Sequence, residues 1–186
     1  MRQRDDRKKY TRQRAAAAML LLLGAARPAC AQPATVPHVR GDAEMQRLID
    51  EASRRAPAIR DSIARLQALD VTVYVRTRTF AQTDLEGRVA LLSTVGRHRY
   101  LVIELACGRT DLARMATLGH ELFHAIEIAQ EPSIVDSQSL ATFYTRVGIR
   151  TSDGKGQQTF ETEAAAAAGL RARRQLHSST RDGHGT

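Results

Sequence analysis

The stretch His120-Glu121-Leu122-Phe123-His124 constrains this chain more than any other. Side chains four residues apart on an α-helix stand one turn apart on the same face, with Cβ atoms about 6 Å apart. Two imidazoles at that separation can converge on one metal ion, and the glutamate between them can reach a water on that ion. This works only on a helix, and the flanking residues predict one. Leu112, Met115, Leu118, Leu122, Ile126 and Ala129 keep helical spacing. Thr110 suits an N-cap, Asp111 suits the positive first turn, and Pro132 stops the run after about Gln130. The apolar stripe accounts for the helix without a metal, and the histidines fall on its flank.

A catalytic zinc site uses three protein ligands and keeps one position open. Three acids compete for the third place: Glu127, Glu161 and Glu163. Glu127 lies seven residues from His120, about 10 Å along the same helix. That span does not close around one ion, so Glu127 is expected beside the site rather than on the metal. Glu161 and Glu163, near the start of an expected last helix, can approach from another direction. Two residues apart is about 200° around a helix, so only one of them can face the ion.

HELFH followed by Glu161-Thr162-Glu163-Ala164 resembles the gluzincin zinc peptidases. TLGHELFHAIEIA (117–129) with FETEAA (160–165) is also similar to small bacterial proteins of that type. The resemblance runs from about Arg99 to Gly169. It implies a zincin-like active-site helix, Zn2+ held by His120, His124 and Glu161, Glu121 as general base, and a peptide or protein substrate aligned by a strand. Arg99 to Ala106 or Val71 to Arg76 are the strands expected to do so. Ala165 departs from the pattern, which has there an acid that orients a ligand histidine. Glu127 and Asp136 are the candidate substitutes, and Tyr144 and His177 the candidate oxyanion stabilisers. Alongside an exported peptide hydrolase of minimal gluzincin type stands a second expectation, a non-catalytic zinc-stabilised envelope protein that binds a partner.

The N-terminus reads as an export signal. Seven basic residues precede the apolar run Ala15–Ala26, and Ala29-Cys30-Ala31 has the small-x-small form of a cleavage site. Twelve apolar residues are too short for a ~30 Å bilayer core. The expected organisation is therefore a signal peptide at 1–31, a flexible spacer at 32–41, one domain at 42–177 and a disordered tail at 178–186, with no stable membrane anchor after cleavage. The expected location is the periplasm or the medium. Of 28 basic and 20 acidic residues, the leader holds eight and two, leaving 20 against 18. The overall charge of +8 is thus mostly the leader's and gives no support to a nucleic-acid partner.

Within the domain, an amphipathic helix is expected from Asp42 to Ala56 with Met45, Leu48, Ile49 and Ala52 inward. Pro57 interrupts it, and a second follows over Ala58–Leu69. Val71, Val73 and Val75 alternate with polar residues as in a strand. Arg88–Val95 and Arg99–Ala106 form a hairpin around Gly96-Arg97-His98, the second arm nearly all apolar and expected to be covered on both faces. Asp136–Val147 is another helix, 148–158 a loop or flap, and Thr159–Leu176 the last helix. Cys107 is expected as a buried, inert thiol. The class is α+β, with a small, mostly antiparallel sheet packed against helices.

Overall fold

A computed structural model describes residues 36–152 and 158–182. The expected leader and its cleavage point lie outside the described residues, as do residues 32–35 of the spacer and 183–186 of the tail. No helix among the described residues is long and apolar enough to cross a membrane.

The class is α+β, as expected. The order is β1 (Val39–Gly41), α1 (Ala43–Arg55), α2 (Pro57–Gln67), β2 (Val71–Arg78), β3 (Gly87–Val95), β4 (His98–Ala106), α3 (Asp111–Gln130), α4 (Ser137–Val147), β5 (Ile149–Ser152), β6 (Gln158–Glu161) and α5 (Glu163–Asp182). Asp42 caps α1 by accepting from the amides of Glu44 and Met45. Pro57 stands at the start of α2, where a missing N–H costs nothing, so it opens the second helix as well as closing the first.

The main sheet has the order β1-β2-β4-β3. Only the β3–β4 hairpin is antiparallel; β1 with β2 and β2 with β4 run parallel, so the sheet is mixed rather than mostly antiparallel. The fourth strand of this sheet comes from the expected spacer: Val39–Gly41 pairs with Val73–Val75, and the His38 amide donates to Gln67 Oε1. Three residues with two prolines nearby carry too little periodicity to be read as a strand. The chain from β1 to β2 passes through α1 and α2, the kind of crossover that a parallel pair requires.

One sheet face holds the core. Val71, Val73, Val75, Leu101, Ile103 and Leu105 bury against Met45, Leu48 and Ile49 of α1, Ile59 and Leu66 of α2, and Leu118 and Leu122 of α3. Each such side chain contributes about 1.5–3 kcal/mol by leaving water. The other face of β4 is buried as well, as expected. There Glu104, 1% exposed, is covered by arginine side chains: it accepts from Arg76 and Arg78 of β2 and from Arg88 of β3 at 2.6–3.0 Å. Burial pushes its carboxyl up, but the three guanidiniums outweigh it and hold it at about 2.

A second charged residue fixes the direction of α3. The last turn of α3 has no basic residue, and Arg99 of β4 takes that place. Its guanidinium donates to the carbonyls of Ile134 and Glu131 at 2.8 Å and to Ala129 at 3.4 Å, tying the end of α3 and the turn that follows it to β4.

The expected loop after α4 forms two short antiparallel strands, Ile149–Ser152 with Gln158–Glu161; 153–157 lie outside the described residues. The last helix starts four residues later than expected and continues through Asp182, so 178–182 of the expected disordered tail are helical. Cys107 is exposed, not buried, because β4 ends at Ala106 and the chain turns outward through Gly108 at φ +75°.

Candidate metal centre

Helix α3 supplies three of the four residues of the site. His120 and His124 stand one turn apart with ring centroids 4.9 Å from each other, and Glu121 is 5% exposed between α3 and the start of β3. The fourth, Glu161, is the last residue of β6. Its Oε2 lies 3.2 Å from His120 Nε2 and its Oε1 3.5 Å from His124 Nε2. Ligand atoms of His120, His124 and Glu161 all lie within 4.8 Å of one another, so this group can hold a metal ion.

The two histidine–carboxylate distances can be compared with those around a small tetrahedral ion. Bonds of 2.0–2.1 Å in tetrahedral geometry put neighbouring ligand atoms about 3.3 Å apart, and the two histidine–carboxylate distances straddle that value. Without an ion, the same atoms form an ion-paired cluster. Burial pushes the Glu161 carboxyl up, but hydrogen bonds from both histidines hold it at about 2. Burial pushes His124 down, and Glu127 and Glu161 override it to about 9.

Of the three acids open for the third place, the structure brings Glu161 to the histidines. Glu163 is exposed in the first turn of α5. The two acids are separated by a change of element rather than by rotation around one helix. Glu161 ends a strand, and Thr162 is the residue from which α5 starts, its Oγ1 accepting from the Ala165 amide at 3.1 Å. The Thr162 amide in turn donates to Glu161 Oε1 at 2.9 Å.

Glu127 is off the metal, as its span along α3 requires, and fills the place that Ala165 leaves empty of charge. Its Oε2 accepts from His124 Nδ1 at 2.8 Å, which leaves Nε2, the nitrogen facing Glu161, as the one that a metal would take. Its Oε1 accepts from Thr162 Oγ1 at 2.7 Å. The carboxylate therefore ties the helix with both histidines to the junction that carries Glu161. Ala165 is fully buried. Asp136, the other candidate substitute, caps α4 in a capping box with Ser139.

Tyr144 lines the cleft, but its hydroxyl lies 3.2 Å from His124 Nδ1 and hydrogen-bonds Glu127. Its proton is held: burial and the surrounding carboxylates push the phenol well above its ordinary value. That places the Tyr144 hydroxyl beside His124 and Glu127. His177 is exposed on α5 and lines neither of the clefts described below.

Two glycines let backbone approach the site. A Cβ at Gly169 of α5 would sit 3.0 Å from His120 Cβ and 3.1 Å from its Nδ1. One at Gly87 of β3 would meet Thr117 Cγ2 at 2.5 Å and Glu121 Cγ at 3.3 Å. The alanine run before Gly169 is the small face on which α5 comes close to α3. Burial raises the Glu121 carboxyl, and His124, His120 and the Val89 amide pull only partly the other way.

Two clefts meet at these residues. One of about 360 Å³ lies between β3 and α4, lined by Val89, Arg88, Leu140 and Tyr144; the other, about 420 Å³, extends towards Glu86, Leu170 and Arg173. Both include Gly87, His120, Glu121 and Glu161. Strand β3 is an edge of the sheet, whereas β2 and β4, the strands expected to align a substrate, are both internal. Thr162, Gly87 and Arg88 were not singled out by sequence reasoning. Thr162 alone had a local signal, a threonine three residues before a helical run of alanines.

No family model, curated protein or solved structure matches the chain, so the site is read from its own geometry.

Proposed function

We propose that this chain is an exported zinc-dependent peptide hydrolase of minimal gluzincin type. The observation that carries this reading is Glu121, a carboxylate buried beside three metal-competent ligand atoms and open to a cleft along a free strand edge. His120, His124 and Glu161 would hold the ion. Bound zinc supplies Lewis acidity towards a carbonyl and a water. The protein does the rest. Glu121 takes a proton from water at its carboxylate and returns it to the leaving amine. A carboxyl pushed up by burial is matched to both halves of that transfer. As an edge strand, β3 offers a peptide a strand to add to, with main-chain hydrogen bonds holding it across the cleft. Residues 1–31 would take the protein to the periplasm or the medium, and the substrate would be a peptide or protein there.

The second reading, a zinc-stabilised envelope protein without turnover, drew on Ala165. Glu127 supports hydrolysis instead, because it supplies the carboxylate on His124 that Ala165 does not. Zinc-loaded protein assayed on a peptide mixture by mass spectrometry, beside Glu121→Gln, tests the proposal. Cleavage lost in the variant is the expected result. Bound zinc with no cleavage by either protein would favour the second reading, and no bound metal would remove both.

A further inference from the structure

We propose that the face of the main sheet that carries Glu104 is a docking surface for an acidic, extended segment of a protein partner. The helices α1, α2 and α3 pack on the opposite face, against Val73, Val75, Leu101 and Ile103. The outward residues are cationic and aromatic: Arg40 of β1, Tyr74, Arg76 and Arg78 of β2, Tyr100 of β4 and Arg88 of β3. Glu104 is the one acid in the four strands. It pairs with Arg76, Arg78 and Arg88, whose side chains stay 55%, 46% and 40% exposed. Arg40 pairs with no carboxylate among the described residues. Its Nη2 donates to the Tyr74 hydroxyl at 2.9 Å, and its buried Nε has no hydrogen-bond partner. Four guanidiniums against one carboxylate make this face positive, in a chain whose charge beyond the expected leader is nearly balanced.

The spacing and chemistry of the face choose the occupant. Arg76 and Arg78, two residues apart on β2, stand about 6.6 Å apart along the strand. Acidic side chains on one side of an extended peptide repeat at the same distance, so successive carboxylates can meet successive guanidiniums. These arginines already hold one carboxylate, that of Glu104, at 2.6–2.9 Å. Both tyrosine rings have neighbours: Arg40 Cζ lies 4.9 Å from the centre of the Tyr74 ring, and the His98 and Tyr100 rings are 4.9 Å apart. That favours a protein over a nucleic acid, whose bases need free ring faces to stack on. Val102, the aliphatic residue between Tyr74 and Ala90, is 3% exposed, so no apolar side chain stands there to enter a bilayer. Arginine and tyrosine are the types that concentrate binding energy in protein interfaces.

The probe is a labelled twelve-residue peptide of alternating glutamate and threonine, with the glutamine–threonine peptide as neutral control. Binding is read by fluorescence anisotropy at low salt on Glu121→Gln protein with zinc, so that nothing is cleaved, and every variant is made in that background. The acidic peptide is expected to bind about tenfold tighter than the neutral one. Arg40→Gln and Arg78→Gln should each weaken it about threefold, and Arg78→Lys, which keeps the charge beside Glu104, should retain most of the binding. Arg171→Gln with Arg174→Gln, which removes two exposed charges from α5, should change it little. Thermal melts by circular dichroism confirm that each variant is folded. Equal binding of the two peptides overturns the inference, as does an equal loss in the α5 variant or full binding in the Arg40→Gln, Arg78→Gln pair. Oligothymidylate or phosphatidylglycerol vesicles that bind more tightly than the acidic peptide, with the loss in that pair, would overturn the protein assignment and name the occupant instead. Neither Arg40 nor Arg78 lines the clefts at the metal centre, so the result stands apart from whether the protein cleaves peptides.

Discussion

Glu104 and Glu121 are two buried carboxylates on the two sides of one sheet, and their surroundings drive them in opposite directions. Glu104, on the arginine-covered face, is 1% exposed; Glu121, on the helix-covered face, is 5% exposed. Burial pushes both carboxyls up. Three guanidiniums reverse this for Glu104 and bring it to about 2, whereas Glu121 has only two imidazoles and an amide against it and stays raised. Burial by itself does not separate a structural carboxylate from a reactive one. The fixed cations around it do.

The largest expected effect is on the reactive side. Glu121→Gln should lower kcat for peptide cleavage by about 10²–10⁴-fold, the worth of a positioned acid–base group. It should also raise the melting temperature of the metal-free protein, because it removes a charge whose folded environment disfavours it. Rates and calorimetry on the same preparation check both. A variant that melts lower than wild type would break the contrast with Glu104.

Next in size is the third ligand. Glu161→Ala should weaken zinc binding by more than the roughly 10–100-fold typical of residues that only orient a ligand. Glu163→Ala, exposed on α5, should change it little. Competition against a zinc-binding dye measures both, and the reverse order would take Glu161 out of the site.

Glu127→Gln and Thr162→Ala should each cost about 10–100-fold in zinc affinity. Their effects should not add, since both break one link between α3 and the β6–α5 junction. A double-mutant cycle in zinc affinity reads the coupling, and Thr162→Ser should restore it. Fully additive losses would mean that the two residues act separately.

The smallest effect belongs to the structural side. Glu104→Gln should destabilise the fold by about 1.5 kcal/mol at neutral pH, a value discounted because its arginine partners are about half exposed. The folded carboxyl lies below its ordinary 4.5, so its contribution is complete above that value and is lost as pH falls from about 4.5 towards 2. Denaturant melts across that range should show a shallower loss in Glu104→Gln than in wild type. Parallel curves would remove Glu104 as the titrating group.

Legibility from sequence followed the range of the interaction. HELFH on one face of α3, the inward set Met45, Leu48, Ile49 and Ala52, the caps Asp42 and Thr110, and the alternation in β2 are all settled within one or two turns or a few residues of strand. There the 3.6- and 2-residue periods act directly, and Glu127 was excluded as a ligand by the rise of its own helix. What tertiary structure alone decided depends on residues brought together from distant segments. Periodicity near 160 read as one helix, but pairing of β6 with β5 ends a strand at Glu161 and starts α5 after Thr162. Glu127 bonds a threonine 35 residues away, and parallel pairing makes β3, not β2 or β4, the free edge. In the same way Glu104, one acid in an apolar strand, becomes a buried anion only because β2 and β3 lay three arginines over it. A single strand carries the pattern of its own faces, but which cations or carboxylates lie across from them is set by register and packing.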